Sequence, residues 1–138
     1  MIQVCCAIII NDCRILAVQH GADSSHPFLW EFPGGKIKPD ESAEQCIIRE
    51  IEEELAVKIT VLTRFDSIEF NYGVKQICLI PFACVIENGE LILTQHIAKQ
   101  WFHIDDWQNI NWLEADREWI IRNFKALKSF INSTNLED

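Results

Sequence analysis

Four of the five residues from 50 to 54 are glutamates: Glu50, Glu52, Glu53 and Glu54. Successive helical residues are turned by about 100°, so Glu50, Glu53 and Glu54 would share one arc of about 100°, and Glu52 would point away. Glu50 and Glu54, one turn apart, would repel each other by about 0.2–0.5 kcal/mol. Hard cations such as Mg²⁺ take several oxygen ligands and bridge carboxylates to phosphate oxygens. The pattern therefore fits a divalent-metal site, and a solvated acidic helix face remains the alternative.

A glycine pair precedes these glutamates, in the stretch "EFPGGK". Gly34 and Gly35 allow the backbone to approach a ligand closely, and Lys36 adds a positive charge. A glycine-bearing segment beside a helix with three convergent carboxylates suits metal-bound phosphates. A plain turn accounts for the glycine pair equally well, so both interpretations stay open.

The helix that must carry the glutamates has a start signal. Ser42 is followed three residues later by Gln45, which is the spacing of a capping box, so the helix is predicted to begin at about Ser42. Apolar residues then recur every four positions and are expected to face the core: Ala43, Ile47, Ile51 and Leu55.

The rest of the chain alternates strand and helix patterns. Apolar runs predict strands at 2–10 and 14–19, joined by a turn at Asn11–Asp12, and further strands at 67–72 and 75–87. Asn88–Gly89 predicts a hairpin turn into a strand at 90–95, "ELILTQ". From about Asp116, helical spacing predicts a C-terminal helix with an apolar face of Ile120, Phe124, Leu127 and Ile131. These elements indicate an α/β (α+β) sandwich, with a mixed β-sheet between helices.

Length and charge limit the possible functions. With 138 residues the chain is expected to be a single domain, 1–138, and its net charge of −9 argues against a broad surface for a nucleic acid polymer. A small anionic substrate remains possible if a cation mediates the contact. The opening "MIQVCCAIII" is too short for a membrane span. The six cysteines lack zinc-ligand spacing, which favours free thiols and a reducing cytoplasm.

The segment from Gly35 to Val57, "GKIKPDESAEQCIIREIEEELAV", resembles the Nudix box, G-x5-E-x7-R-E-U-x-E-E-x-G-U, in which U is a bulky aliphatic residue. The matching positions are Gly35, Glu41, Arg49, Glu50, Ile51, Glu53, Glu54 and Val57. One position departs, because Ala56 stands where the family has glycine. The preceding "WEFPGG" is similar to the MutT-type branch, and the order of elements resembles the Nudix α/β/α sandwich.

The resemblance implies roles for particular residues. Mg²⁺, or Mn²⁺, would be bound by Glu50, Glu53, Glu54 and the carbonyl oxygen of Gly34. Glu50 would also activate water, and the catalytic group would comprise Glu50, Glu53, Arg49 and Glu41. In this group Arg49 orients a glutamate and Glu41 supports the metal-water network. Substrate contacts would come from Lys36, Phe32, Asp116, Gly35 and His20.

Several of these roles have a simpler alternative. Arg49 is one helical turn from Glu53 and would form an ion pair in any case. Phe32 would pack on a base or lie in the core, and Asp116 would contact the base, cap the C-terminal helix, or do both. His20 aligns with a phosphate-contacting arginine of MutT enzymes. Gln95 occupies a position that often carries glutamate, so Glu50 would bear more of the proton transfer.

For a MutT-like enzyme the resemblance implies hydrolysis of a nucleoside triphosphate to the monophosphate and pyrophosphate. The favoured substrate is 8-oxo-dGTP, in sanitation of the nucleotide pool. The alternative within the class is CTP or a modified dCTP, and the alternative of another class is a Nudix-like nucleotide sensor without turnover. The protein is expected to be a cytoplasmic monomer or homodimer that binds neither nucleic acid polymers nor membranes.

Overall fold

The structure, a computed structural model, describes residues 1–134. The strands, in chain order, are β1 (Ile2–Asn11), β2 (Arg14–Gln19), β3 (Trp30–Glu31), β4 (Gly34–Lys36), β5 (Lys58–Arg64), β6 (Ile68–Asn71), β7 (Gln76–Asn88) and β8 (Ala98–Phe102). The helices are α1 (Ala43–Leu55), a 3-10 segment (Ile104–Asn109) and α2 (Glu114–Thr134). Within residues 1–134, neither α1 nor α2 has the length and apolarity that crossing a membrane requires.

The sheet is mixed, as predicted. Strand β1 runs parallel to β7 and antiparallel to β4, and its end forms a hairpin with β2. On the far side of β7 lie β5 and β6, both antiparallel to it. Strand β2 in turn pairs antiparallel with β3 and β8. The strands that carry or adjoin the candidate site therefore lie around the β1–β2 hairpin, with β4 paired to β1 and both β3 and β8 paired to β2.

The two faces of the sheet carry separate apolar clusters. Ile8 in β1 belongs to the cluster that includes Trp119 and Leu127 of α2. Its neighbour Ile9 belongs to the cluster that includes Ile51 of α1. Alternate residues of a strand point to opposite faces, so β1 joins both helix layers. The prediction of an α/β/α sandwich is confirmed.

Local sequence signals place α1 correctly. Ser42 caps the helix, its Oγ accepting from the Gln45 N–H at 3.1 Å, while the Gln45 side chain accepts from the Ser42 N–H at 2.9 Å. The predicted start and capping box are therefore confirmed. Three of the four predicted core residues (Ile47, Ile51 and Leu55) are fully buried, and the fourth, Ala43, is partly buried in the same cluster.

The prediction of a strand at 90–95 is wrong. Strand β7 ends at Asn88, and the following segment runs instead along the C-terminal end of α1. Ile92 donates its N–H to the Leu55 carbonyl and Thr94 to the Glu54 carbonyl, each at 3.0 Å. The last carbonyls of a helix have no partner within the helix, and this segment satisfies them. The segment thus fixes the helix end that carries the glutamates.

Helix α1 ends at a strained residue. Ala56 has φ 59° and ψ 29°, the left-handed conformation in which glycine is favoured because it has no Cβ. Ala56→Gly is expected to raise the free energy of unfolding by about 1 kcal/mol, which thermal or denaturant unfolding would measure. Ala126→Gly, the same change at an exposed position inside α2, should instead destabilise the protein by about 1 kcal/mol. A lower melting temperature for Ala56→Gly would contradict this account.

Candidate active site

The three glutamates that were predicted to share an arc lie on α1, and their side chains differ in solvent exposure. The Glu53 side chain is 50% exposed, that of Glu50 is 15% exposed, and Glu54 is 2% exposed. Glu52 points into solvent. Burial raises the pKa of Glu54 to about 10, helped by a hydrogen bond with Glu50 and by the nearby charge of Glu31. The Oε1 of Glu54 is buried and has no hydrogen-bond partner among the described residues.

Arg49 connects three of the predicted carboxylates. Its Nε and Nη2 donate to the two oxygens of Glu41 at 2.9 and 2.6 Å. Its Nη1 donates to Glu50 Oε2 at 2.8 Å and to Glu53 Oε1 at 3.2 Å. The hydrogen bonds from Arg49 lower the pKa of Glu41 to about 2. The ion pair with Glu53 is therefore present, but Arg49 also fixes Glu50 and leaves its Oε1 free of the guanidinium.

The glycine pair lies in strand β4, so the alternative of a plain turn is wrong. Strand β4 lies between β1 and α1, where Gly35 pairs with Cys5 of β1. A Cβ on Gly34 would collide with the Cys5 carbonyl, and a Cβ on Gly35 would collide with the Glu50 carboxyl. Gly34 is needed because the backbone of β1 lies against it, and Gly35 is needed because the glutamate helix packs directly on the strand.

A cleft of about 570 Å³ opens beside this strand. Such a volume is within the usual range for pockets that bind small ligands. All five residues predicted to contact substrate line it (Lys36, Phe32, Asp116, Gly35 and His20), as do Gly34 and the buried Glu54. Glu50 adjoins the cleft through Gly35, whereas Arg49 and Glu41 lie behind Glu50 and do not line it. Glu53 does not line the cleft either, and joins this group through its hydrogen bond with Arg49.

Asp116 connects the cleft to the core. It lies in the first turn of α2, which begins at Glu114, and its Oδ2 accepts from the Phe32 N–H at 2.9 Å. Its expected role as the N-cap is wrong, since the helix begins two residues earlier. Burial, followed by the nearby charge of Glu31, raises the pKa of Asp116 well above its ordinary value.

The ring of Phe32 is buried, which agrees with its alternative role in the core. Phe32 is 2% exposed, and its ring lies 5.0 Å from that of Trp112 and 6.3 Å from that of Trp119. Phe32 still lines the cleft, so contact between its ring edge and a base remains a prediction. The packing of its ring also holds the backbone of Phe32 in place, and the N–H of Phe32 donates to Asp116.

One group at the cleft was not predicted. Glu31 lies between His20 and His96, with its Oε2 3.1 Å from His20 Nε2 and 3.0 Å from His96 Nε2. Burial opposes ionisation of Glu31, but its contacts with the two histidines outweigh burial and lower its pKa. The contact with Glu31 raises the pKa of His20. The sequence does contain a feature that could have indicated Glu31, because it stands between two aromatic residues, Trp30 and Phe32. A charged residue that is buried among aromatic side chains requires partners.

Comparison with known proteins agrees with this geometry. The family profile described as "NUDIX domain" matches residues 1–124. The chain belongs to the NUDIX family. It is 51% identical over 101 residues to the CTP pyrophosphohydrolase of Escherichia coli K12, an alignment that covers 73% of this chain and 75% of that protein. It is 36% identical over 63 residues to the 8-oxo-dGTP diphosphatase of Proteus vulgaris, covering 46% and 56% of the two chains.

Two solved structures share the fold of this chain. The solution structure of the E. coli ORF135 protein superimposes with a TM-score of 0.79 at 34% identity, over 93% of this chain and 91% of that chain. The crystal structure of the MutT protein from Methanosarcina mazei Go1 gives a TM-score of 0.81 at 23% identity, over 92% and 95%. At this identity the second likeness concerns the fold alone.

Proposed function

We propose that this NUDIX protein is a divalent-cation-dependent nucleoside triphosphate pyrophosphohydrolase, which cleaves a phosphoric anhydride bond to release a nucleoside monophosphate and pyrophosphate. The observation that carries the proposal is the position of Glu54. This carboxyl is 2% exposed, has an unpaired Oε1 and lies at a cleft of nucleotide size. A buried carboxyl with an unpaired oxygen is costly unless the group is protonated or binds a cation.

The residues present fit a hard divalent cation, Mg²⁺ or Mn²⁺. Glu50, Glu53, Glu54 and the Gly34 carbonyl would hold it, and oxygen donors of this kind are what such cations prefer. Because Gly35 has no Cβ, the Glu50 carboxyl can lie directly against strand β4, at the residue that follows Gly34. This position supports the assignment of both groups as ligands of one cation. When bound, the cation neutralises phosphate charge and lowers the pKa of water.

The protein's own groups then have separable tasks. Glu41 holds the Arg49 guanidinium through two hydrogen bonds, and Arg49 holds Glu50 through Oε2. Oε1 of Glu50 is left to accept the proton of the attacking water. Lys36, which is exposed at the cleft, would contact phosphate oxygens. Gln95 also lines the cleft, but an amide cannot take a proton, so Glu50 would bear more of the proton transfer.

Two bases are candidates for the substrate. The sequence favours 8-oxo-dGTP, and the relatives named 8-oxo-dGTP diphosphatase support it. CTP or a modified dCTP is favoured by the 51% identity to a CTP pyrophosphohydrolase. In either case Asp116 would contact the base, because it lines the cleft and one oxygen, Oδ1, remains free of the Phe32 N–H.

The wider assignments are proposals of the same kind. We propose one hydrolase domain over 1–138, acting in the cytoplasm as a monomer or homodimer on the nucleotide pool and thereby contributing to DNA repair. The family match over residues 1–124 supports the domain, and the net charge of −9 supports a small nucleotide over a nucleic acid polymer.

Release of pyrophosphate from a panel of nucleotides tests the function. The panel contains 8-oxo-dGTP, dGTP, CTP and 5-methyl-dCTP, each with Mg²⁺, with Mn²⁺ and with EDTA. We expect cation-dependent release of pyrophosphate with one preferred base. Nucleotide binding without release from any of the four would contradict the hydrolase and support the sensor. Release of orthophosphate in place of pyrophosphate would contradict the proposed bond.

A further inference from the structure

Three side chains from separate segments meet at one point of the cleft wall. His20 follows strand β2, Glu31 lies in β3 and His96 precedes β8. The three segments are held together by the sheet, because β2 pairs with β3 on one side and with β8 on the other. The Ile97 N–H also donates to the Gln19 carbonyl at 3.0 Å. The convergence is therefore built by the fold and does not depend on the side chains alone.

The spacing of the donor atoms suits a bound metal ion. His20 Nε2 and His96 Nε2 lie 3.1 and 3.0 Å from the same oxygen of Glu31, and the three atoms lie within 4.8 Å of one another. Zinc ligands bind at about 2.0–2.2 Å, so neighbouring ligand atoms are separated by about 3.0–3.5 Å. Small shifts would therefore place all three atoms around one cation.

The hydrogen bonding of the cluster is incomplete among the described residues. His20 Nε2 is buried and makes no hydrogen bond, since its approach to Glu31 lacks hydrogen-bond geometry. His96, whose side chain is 5% exposed, has an unpaired Nδ1 that lies 3.8 Å from the unpaired Oε1 of Glu54. Buried polar atoms are usually paired, so unpaired ones require an explanation. A cation would satisfy His20 Nε2.

The second ring nitrogen of His20 has a polar partner outside the cluster, as is usual for histidines that bind a metal. Its Nδ1 lies 2.8 Å from Ser24 Oγ, which also accepts from the His26 N–H at 3.0 Å. A hydrogen bond at one ring nitrogen fixes the ring and directs the other nitrogen to the metal. His20 therefore presents Nε2, and not Nδ1, to the cluster.

We propose that His20, Glu31 and His96 form a binding site for a transition-metal dication of the Zn²⁺ class, distinct from the carboxylate site of α1. Two imidazoles and one carboxylate suit such ions, whereas Mg²⁺ prefers oxygen ligands. All three residues line the cleft, so a fourth coordination position would be open to water or to an anionic oxygen of a bound phosphate.

Titration with Co²⁺ tests this site without any need for turnover. Protein stripped with EDTA is titrated with Co²⁺ in excess Mg²⁺, visible absorption is recorded, and Zn²⁺ is then added as competitor. We expect one Co²⁺ equivalent, displaced by Zn²⁺. Loss of a ligand in His20→Ala or His96→Ala should weaken binding by at least about tenfold. His103→Ala removes a surface histidine that lies 3.7 Å from Asp105, and should leave binding unchanged.

Several outcomes would overturn the site. These are absence of stoichiometric Co²⁺ binding, unchanged binding in both histidine variants, or loss of binding in Glu53→Gln, which would assign the metal to α1. If His96→Ala fails to fold, His20→Ala decides, because the His20 side chain is 21% exposed at the end of a strand and its removal is better tolerated. Because the measurement is binding, its failure is separate from a failure of the hydrolase proposal.

Discussion

Replacing Glu53 by glutamine is expected to lower kcat for the preferred triphosphate by about a hundredfold or more, while the protein stays folded. Metal-ion stabilisation of developing charge contributes several kcal/mol, and each 1.36 kcal/mol changes a rate about tenfold. Glu53 is the cleanest of the three proposed ligands to test, because its side chain is 50% exposed. Its ion pair with Arg49, an exposed pair one turn apart, contributes only about 0.3–0.5 kcal/mol to stability.

Glu52→Gln provides the matched control for this experiment. It makes the same change in charge on the same helix, but Glu52 is exposed and lies outside the arc that Glu50, Glu53 and Glu54 share. The measurements are kcat as a function of Mg²⁺ concentration, together with the melting temperature of each variant. Activity of Glu53→Gln within a few-fold of the wild type would remove Glu53 from the metal site. Equal losses in both variants would indicate a general effect of helix charge.

Signals within one segment predicted the structure well. The capping box at Ser42 and the four-residue apolar repeat specified α1, because a helix start and its buried face depend on residues a few positions apart. The same holds for the hairpin of β1 and β2. Strand β5 was not predicted, although Ile59 and Val61 alternate with more exposed residues in the manner of a strand.

Features that depend on distant contacts could not be predicted in this way. The segment 90–95 has the composition of a strand, but the unpaired carbonyls at the end of α1 determine its path. The cluster of His20, Glu31 and His96 is assembled by pairings of β2 with β3 and β8, which no spacing in the sequence reveals. The glutamates of the candidate metal site were predictable because a single helix carries them.

Asp116→Asn is expected to change the ratio of kcat/KM between cytosine and 8-oxoguanine nucleotides by about two- to tenfold, the effect of one hydrogen bond between neutral groups. The amide oxygen can keep the bond from the Phe32 N–H, which leaves the NH2 group facing the cleft. An amide NH2 donates only, so it cannot accept from the cytosine amino group but can bond a base carbonyl. Cytosine nucleotides should lose most. An equal loss for all bases would make Asp116 a structural residue.

The same variant should also alter the dependence of stability on pH. The pKa of Asp116 in the folded protein is raised well above 3.8 because the carboxyl is buried. Above about pH 4 the unfolded chain loses this proton while the folded protein keeps it, so the wild type loses stability as pH rises. Asparagine has no proton to lose. The melting temperature of Asp116→Asn relative to wild type should therefore increase from about pH 4 to about pH 8. A pH-independent difference would mean that Asp116 is ionised in the fold, and the free carboxylate would then face the base with acceptors only.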